Sequence, residues 1–166
     1  MPDPIRRIVI LGGGSAGWLT AAVLAAEHDA ASGSGLQVTL VESPDVATIG
    51  VGEGSWPTMR DTLRRIGVSE TDFIRECDAA FKQGSKFLRW RDDRVDDAYH
   101  HPFALPHGYF DTNLVAGWMA HGDVPFGMLA CFQPHLCEAG KAPKQFATPE
   151  WAAVANYAYH LDAAKL

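Results

Sequence analysis

"IVILGGGSAGWLTAAVLAA", residues 8–26, decides how the chain begins to fold. Ile8 to Leu11 is a β-branched, apolar run with the character of a short buried parallel strand. Ala16 to Ala26 is alanine-rich and places Leu19, Val23 and Ala26 on one helical face. Three glycines, Gly12, Gly14 and Gly17, occupy the strand-to-helix turn in the order G-x-G-x-x-G. In such a turn the first glycine permits the tight bend, the second admits a pyrophosphate close to the backbone, and the third lets the helix pack on the strand. Ser15 and Ala16 open the helix, whose N-terminal amides then face the phosphates.

A glycine turn alone is weak evidence, so the next requirement is an acid at the end of a second strand about 20 residues on. After the flexible "ASGSG", Leu36 to Val41 forms an apolar, partly alternating run, Glu42 closes it, and Pro44 breaks it. A carboxylate at that place accepts hydrogen bonds from a ribose. The pattern does not separate FAD from NAD, and a ligand-free glycine turn beside a solvated glutamate stays open.

The chain has 166 residues, of which 47% are hydrophobic and 20% charged, enough for one sizeable core and part of another. A formal net charge of -6 with no basic stripe argues against nucleic acid as the main partner. No signal peptide opens the chain and no apolar run approaches a membrane span, so the expected location is cytoplasmic, with no membrane partner. Cys77, Cys131 and Cys137 are odd in number and lack a CxxC pair, which fits a reducing compartment and provides no zinc framework.

A second glycine cluster follows in "ATIGVGEGSWPTMRDTLRRIGV". Gly50, Gly52 and Gly54 alternate with Ile49, Val51 and Glu53, a backbone able to lie against a flat ligand. Ser55 or Trp56 is expected to cap a helix with Pro57 in its first turn, Met59, Leu63 and Ile66 at helical spacing, and Gly67 at its end. Ser69 and Asp72 begin a further helix with Phe73, Ile74 and Cys77 inward. From Asp78 to Arg91 the period shortens to two: Phe81, Phe87 and Trp90 supply apolar bulk, while Lys82 and Lys86 share one face of an extended segment. Spacing does not choose between these lysines, and both can be solvent-facing residues of an edge strand.

"IVILGGGSAGW", "VESPDVATIGVGEGSWPT", "AFKQGSKFLRW" and "YHHPF", continued to "YAYHLDAAKL", together resemble the opening third of the flavin-dependent tryptophan halogenases. The resemblance implies an α/β fold, a Rossmann-like FAD-binding domain of flavin-monooxygenase type carrying an extra helical part, incomplete in this chain. It also implies a reduced flavin (FADH2) delivered by a separate flavin reductase, oxygen, and chloride or bromide. Hypohalous acid so formed travels through a tunnel to a lysine beside a small aromatic substrate, tryptophan or another indole. Carried over, Gly12, Gly14, Ser15, Ala16, Gly17 and Glu42 hold the FAD pyrophosphate and ribose, and Ile49, Gly50, Val51, Gly52 and Glu53 form a strap over the flavin. The F-K pair makes Lys82 the catalytic amine. Such an amine either donates a hydrogen bond to hypohalous acid or, when neutral, is halogenated itself. His101 and Phe103 match the H-x-F stretch that stacks on the indole.

The family's W-x-W-x-I-P motif and the glutamate opposite the lysine are not within residues 1–166. The chain is therefore expected to be the N-terminal part of such an enzyme, a fragment or truncated product, with residues 82–110 beginning the substrate-facing part. Two other functions stay open: a flavin monooxygenase or dehydrogenase with the same turn, and a non-catalytic FAD-binding fragment. A homodimer is left open as well.

The rest is less distinctive. "RWRDDRVDDAYHHPFALPHGYFD" is expected as a polar loop, in which the spacing of His100, His101 and His107 fits no zinc pattern. A short helix with Leu114, Val115 and Trp118 inward comes next, then a helix and a loop over 126–146. Thr148 and Pro149 are expected to start a helix, "YAYHL" to form a strand, and Asp162 to cap a new helix.

Overall fold

The computed structural model describes residues 3–33, 35–46, 53–120 and 122–166. The chain divides into two compact units. The first comprises residues up to Glu53, Thr58–Ala80 and His160–Leu166; the second comprises Gly54–Pro57 and Phe81–Tyr159.

In the first unit, strand β1 (Arg7–Leu11) leads through the glycine turn into helix α1 (Ser15–Glu27). A 3-10 turn over Ala30–Ser32 then leads to β2 (Gln37–Val41), which pairs parallel with β1 in the register Arg7 to Gln37 through Leu11 to Val41. This is the expected strand–turn–helix–strand unit. The expectation of a buried β1 is corrected: Val9 and Leu11 are 68% and 87% exposed, and the partly covered positions are Ile8 and Ile10 on the other face. Period-two alternation gives each strand one covered face, where α1 packs. Leu19 and Val23 of α1 are partly covered, whereas Ala26 is exposed.

Helix α2 (Thr58–Arg65) buries Leu63 and packs on α1, where Arg65 also pairs with Glu27. It stops at Gly67, whose φ of 81° suits glycine alone among common residues. Helix α3 (Glu70–Glu76) begins as expected, with the Ser69 hydroxyl accepting from Asp72 N at 3.3 Å. Phe73 and Cys77 are buried beneath it. Asp162 N donates to Cys77 O at 2.9 Å, and the Asp162 carboxylate caps a 3-10 turn over Ala163–Lys165.

The second unit is organised by short strands. β3 (Ala80–Lys82) pairs with β6 (Ala158–His160), and β4 (Gly84–Leu88) pairs antiparallel with β5 (Ala98–Pro102). β5 lies in the stretch expected to be loop. Its residues are polar, and cross-strand contacts such as Phe87 stacked on its register partner Tyr99 at 4.8 Å hold it in place. Buried Asp97 orders the connection before it, accepting from Arg91 Nε at 2.7 Å and Arg91 N at 2.8 Å.

Helices α4 (Leu114–Ala120), α5 (Phe126–Ala130) and α6 (Gln133–Glu138) follow, the last two within the region expected as one helix and a loop. Val115, expected inward, is exposed; Trp118 is partly covered and donates from its indole to Val124 O at 2.7 Å. No helix forms after Thr148 and Pro149: Trp151 takes a φ of 63°, and Val154 N and Ala155 N both donate to Pro143 O. Tyr157 and Tyr159 are wholly buried, and with Phe81 they form an aromatic core. No helix among the described residues is long and apolar enough to cross a membrane.

Candidate active site

The first unit contains a groove of about 530 Å³ bordered by Gly12, Gly14, Ser15, Glu42 and Ala163. β2 and the glycine turn define it. Gly12 has a φ of 119° and donates from its N–H to Val41 O at 2.9 Å, so the turn folds back on the end of the neighbouring strand. A methyl group on Gly17 would overlap Gly12 O, so this glycine serves helix–strand packing. Gly13 is pressed by the Glu42 side chain, a tightness the motif pattern does not reveal.

Gly14 is different. It is the N-cap of α1 with φ -75° and ψ 173°, a conformation open to any residue, and a methyl group there would meet nothing within 4 Å. Among the described residues, nothing in the packing requires glycine at this position. The first-turn amides of α1 receive no side-chain cap. An open approach to uncapped helix amides is what the pyrophosphate of a dinucleotide needs, so the residues present fit one. Glu42 stands in the same groove, and Ala16 lies within the first turn of α1. Ile49, Gly50, Val51 and Gly52 lie outside the described residues; Glu53 is partly covered, and its carbonyl accepts from Leu161 N at 3.1 Å.

In the second unit the two candidate lysines part company. They do not share a face: β3 and β4 belong to different sheets, and Gln83 alone lies between them. Phe81 turns into the Tyr157–Tyr159 core, and alternation sends Lys82 to the opposite side. There Lys82 Nζ donates to Ser55 O at 3.3 Å and lies 5.4 Å and 5.6 Å from the ring centroids of Trp56 and Phe103. Those two rings are 5.6 Å apart with planes inclined by 52°. Lys86 is exposed and pairs with Glu138 at 2.6 Å. The hydrogen bond from Lys86, with a second contact from His100, holds the Glu138 carboxyl below the ordinary glutamate value. Lys86 is thus occupied in an ion pair, whereas Lys82 is presented to aromatic faces.

Ser55 and Trp56 do not cap α2 as expected. The Ser55 hydroxyl donates to Tyr159 O at 3.2 Å and accepts from Tyr159 N at 3.0 Å, which fixes the carbonyl that receives Lys82. Of the two expected stacking residues, Phe103 is brought beside Lys82, while His101 is exposed on β5 opposite Ser85. Trp56 takes the second aromatic place. Its signal in the sequence is a tryptophan directly before a proline, Trp56-Pro57.

Chemically, the second unit offers an amine beside two mutually inclined aromatic rings, on which a flat π-system can stack while the amine directs N–H donors at a reagent next to it.

The family model for tryptophan halogenases matches residues 7–166. A tryptophan halogenase from Shewanella frigidimarina NCIMB 400, solved by crystallography, is 52% identical, with a TM-score of 0.87 over 98% of this chain and 33% of that one. A flavin-dependent halogenase from Xanthomonas campestris is 35% identical with a TM-score of 0.76, covering 98% of this chain and 31% of its own. The tryptophan 6-halogenase ThaL of Streptomyces albogriseolus is 34% identical across 100% of this chain and 33% of its own length. The chain therefore spans about a third of the length of these relatives, and it belongs to the tryptophan halogenase family.

Proposed function

We propose that this chain is the N-terminal, FAD-holding and lysine-bearing part of a flavin-dependent halogenase acting on tryptophan or another indole-like aromatic. Gly12, Gly14, Ser15, Ala16, Gly17 and Glu42 would hold the pyrophosphate and ribose of FAD, with Ile49–Glu53 over the flavin. Residues 82–110 begin the substrate-facing part. Reduced FAD, delivered by a separate flavin reductase, supplies with oxygen the oxidising power that turns halide into hypohalous acid. Lys82 donates a hydrogen bond to the oxygen of hypohalous acid, drawing electrons from the oxygen–halogen bond. The indole carbon takes the halogen, the oxygen leaves as water with a proton from the amine, and the ring then loses its own proton.

The observation that carries this reading is Lys82 Nζ lying over both Trp56 and Phe103. Negative ring faces attract a cation and equally accept a stacked indole. The test compares Lys82→Met with Lys86→Met in an assay with flavin reductase, halide, oxygen and tryptophan. Methionine keeps much of the apolar stem and removes the amine. Lys82→Met is expected to oxidise reduced flavin and yield no halogenated tryptophan; Lys86→Met is expected to keep making it. Retained halogenation in Lys82→Met, or equal loss in both, overturns the assignment.

A further inference from the structure

Gln133, at the start of α6, has no exposed surface, and both ends of its amide are engaged. Oε1 accepts from Phe103 N at 2.9 Å and from Ala104 N at 2.8 Å, while Nε2 donates to Asn156 O. Asn156 completes the arrangement by donating from Nδ2 to Phe103 O at 3.2 Å. The main chain of Phe103 is thus gripped at its N–H and at its carbonyl by side-chain amides from two distant segments. The same N–H also reaches Gln83 O at 3.2 Å, one residue past Lys82.

A buried amide costs desolvation unless every polar atom finds a partner, and here the partners belong to the residue beside the candidate amine. An apolar residue of similar volume would fill the same space without holding Phe103.

We infer that Gln133, acting with Asn156, is a positioning residue that sets the Phe103 ring at its distance from Lys82. An aromatic substrate stacked on Phe103 would then present one particular ring carbon to the amine. The consequence for the substrate rests on the reading of Lys82 proposed above; the placement of Phe103 does not.

The test uses the 166-residue chain with labelled lysine methylenes, because ring currents from Trp56 and Phe103 shift the Lys82 signal upfield relative to that of Lys86. Gln133→Leu is expected to move the Lys82 signal towards that of Lys86 and to weaken tryptophan binding by up to about tenfold, the scale of one lost stacking contact. Gln133→Glu keeps an oxygen for both N–H groups and, with its buried carboxyl protonated, a donor for Asn156 O, so it is expected to restore most of the shift. The Lys86 signal and the Phe81–Tyr157 contact should stay unchanged in both, a pattern that general loosening would not produce. Unchanged Lys82 signal and unchanged affinity in Gln133→Leu overturn the inference. Where that variant does not fold, amide exchange in the unaltered chain decides: slow exchange at Phe103 and Ala104 supports the clamp, and fast exchange at both overturns it. If the unaltered chain binds no tryptophan while the Lys82 signal still follows residue 133, the positioning of Phe103 stands and the substrate reading fails.

Discussion

Gly84 in β4 and Pro102 in β5 are register partners at the end of their ladder. Gly84 has a φ of 150°, and a methyl group on it would come within 2.9 Å of Pro102 Cα and 2.5 Å of His101 O. Glycine therefore lets the two strands close at this point, and Pro102, which has no N–H to donate, ends the ladder. The residues just beyond the closed end, Lys82 and Gln83 on one side and Phe103 on the other, are delivered to the same place. That is how an amine and a ring some twenty residues apart come to face each other.

The glycine turn of the first unit separates two roles that sequence alone presents as one motif. Gly17→Ala sets a methyl group against Gly12 O and is expected to destabilise the unit by about 1–3 kcal/mol, as overpacking does. At Gly14 an added Cβ meets no described atom and the backbone is ordinary, so Gly14→Val is expected to cost only the poorer helix cap, about 1 kcal/mol, while under the proposed reading FAD retention is lost. Thermal unfolding and flavin fluorescence quenching measure both. A Gly14→Val destabilised as severely as overpacking would make it, or one that still quenches flavin, would remove Gly14 from the proposed cofactor site.

What could be read from the residues was local. The turn after β1, the Ser69 cap of α3 and the stop at Gly67 depend on contacts within a few residues, where spacing and side-chain chemistry suffice. β5 was hidden because "AYHHP" is polar and its pairing is decided by β4. Thr148 and Pro149 permit a helix but supply no nucleus for one, and the backbone there bonds to Pro143 instead. Lys82 and Lys86 are equivalent by alternation alone, because the period of two carries no sign of the break at Gln83, where the chain passes from one sheet to another. Trp56 and Gln133 act through partners 47 and 30 positions from them at Phe103, a distance that no periodicity encodes.

The Asp97 latch makes the β4–β5 connection sensitive to acid. Its carboxyl is held below the ordinary aspartate value chiefly by the Arg91 guanidinium and by the Arg91 N–H, against desolvation that pushes it up. A depressed carboxyl contributes stability fully above the unfolded value of about 3.9, and the contribution fades as pH falls through the lower folded value. Amide exchange at Arg91 and Asp92, corrected for intrinsic rates, is therefore expected to quicken in that acid window. Asp97→Asn should show weaker protection with no such pH dependence. The same acid response in both proteins would trace it to another carboxylate.

Under the proposed reading, Phe103 and Trp56, rather than His101, carry the aromatic substrate. Phe103 and Trp56 pack against each other at an angle with Lys82 Nζ beside both, whereas His101 is exposed opposite Ser85. Loss of one stacked ring costs about 0.5–1.5 kcal/mol beyond buried area, roughly a two- to twelvefold rise in Kd. Phe103→Ala and Trp56→Ala are each expected to weaken tryptophan binding on that scale, measured by calorimetry, while FAD affinity is unchanged because the glycine groove belongs to the other unit. His101→Ala should change the tryptophan Kd by less than about twofold, since it removes no ring from the Lys82 surroundings. Should His101→Ala prove as damaging as the other two, the stacking role would return to the histidine and Trp56 would be left as an exposed aromatic. Joint loss of tryptophan and FAD binding in all three would instead trace the effect to unfolding.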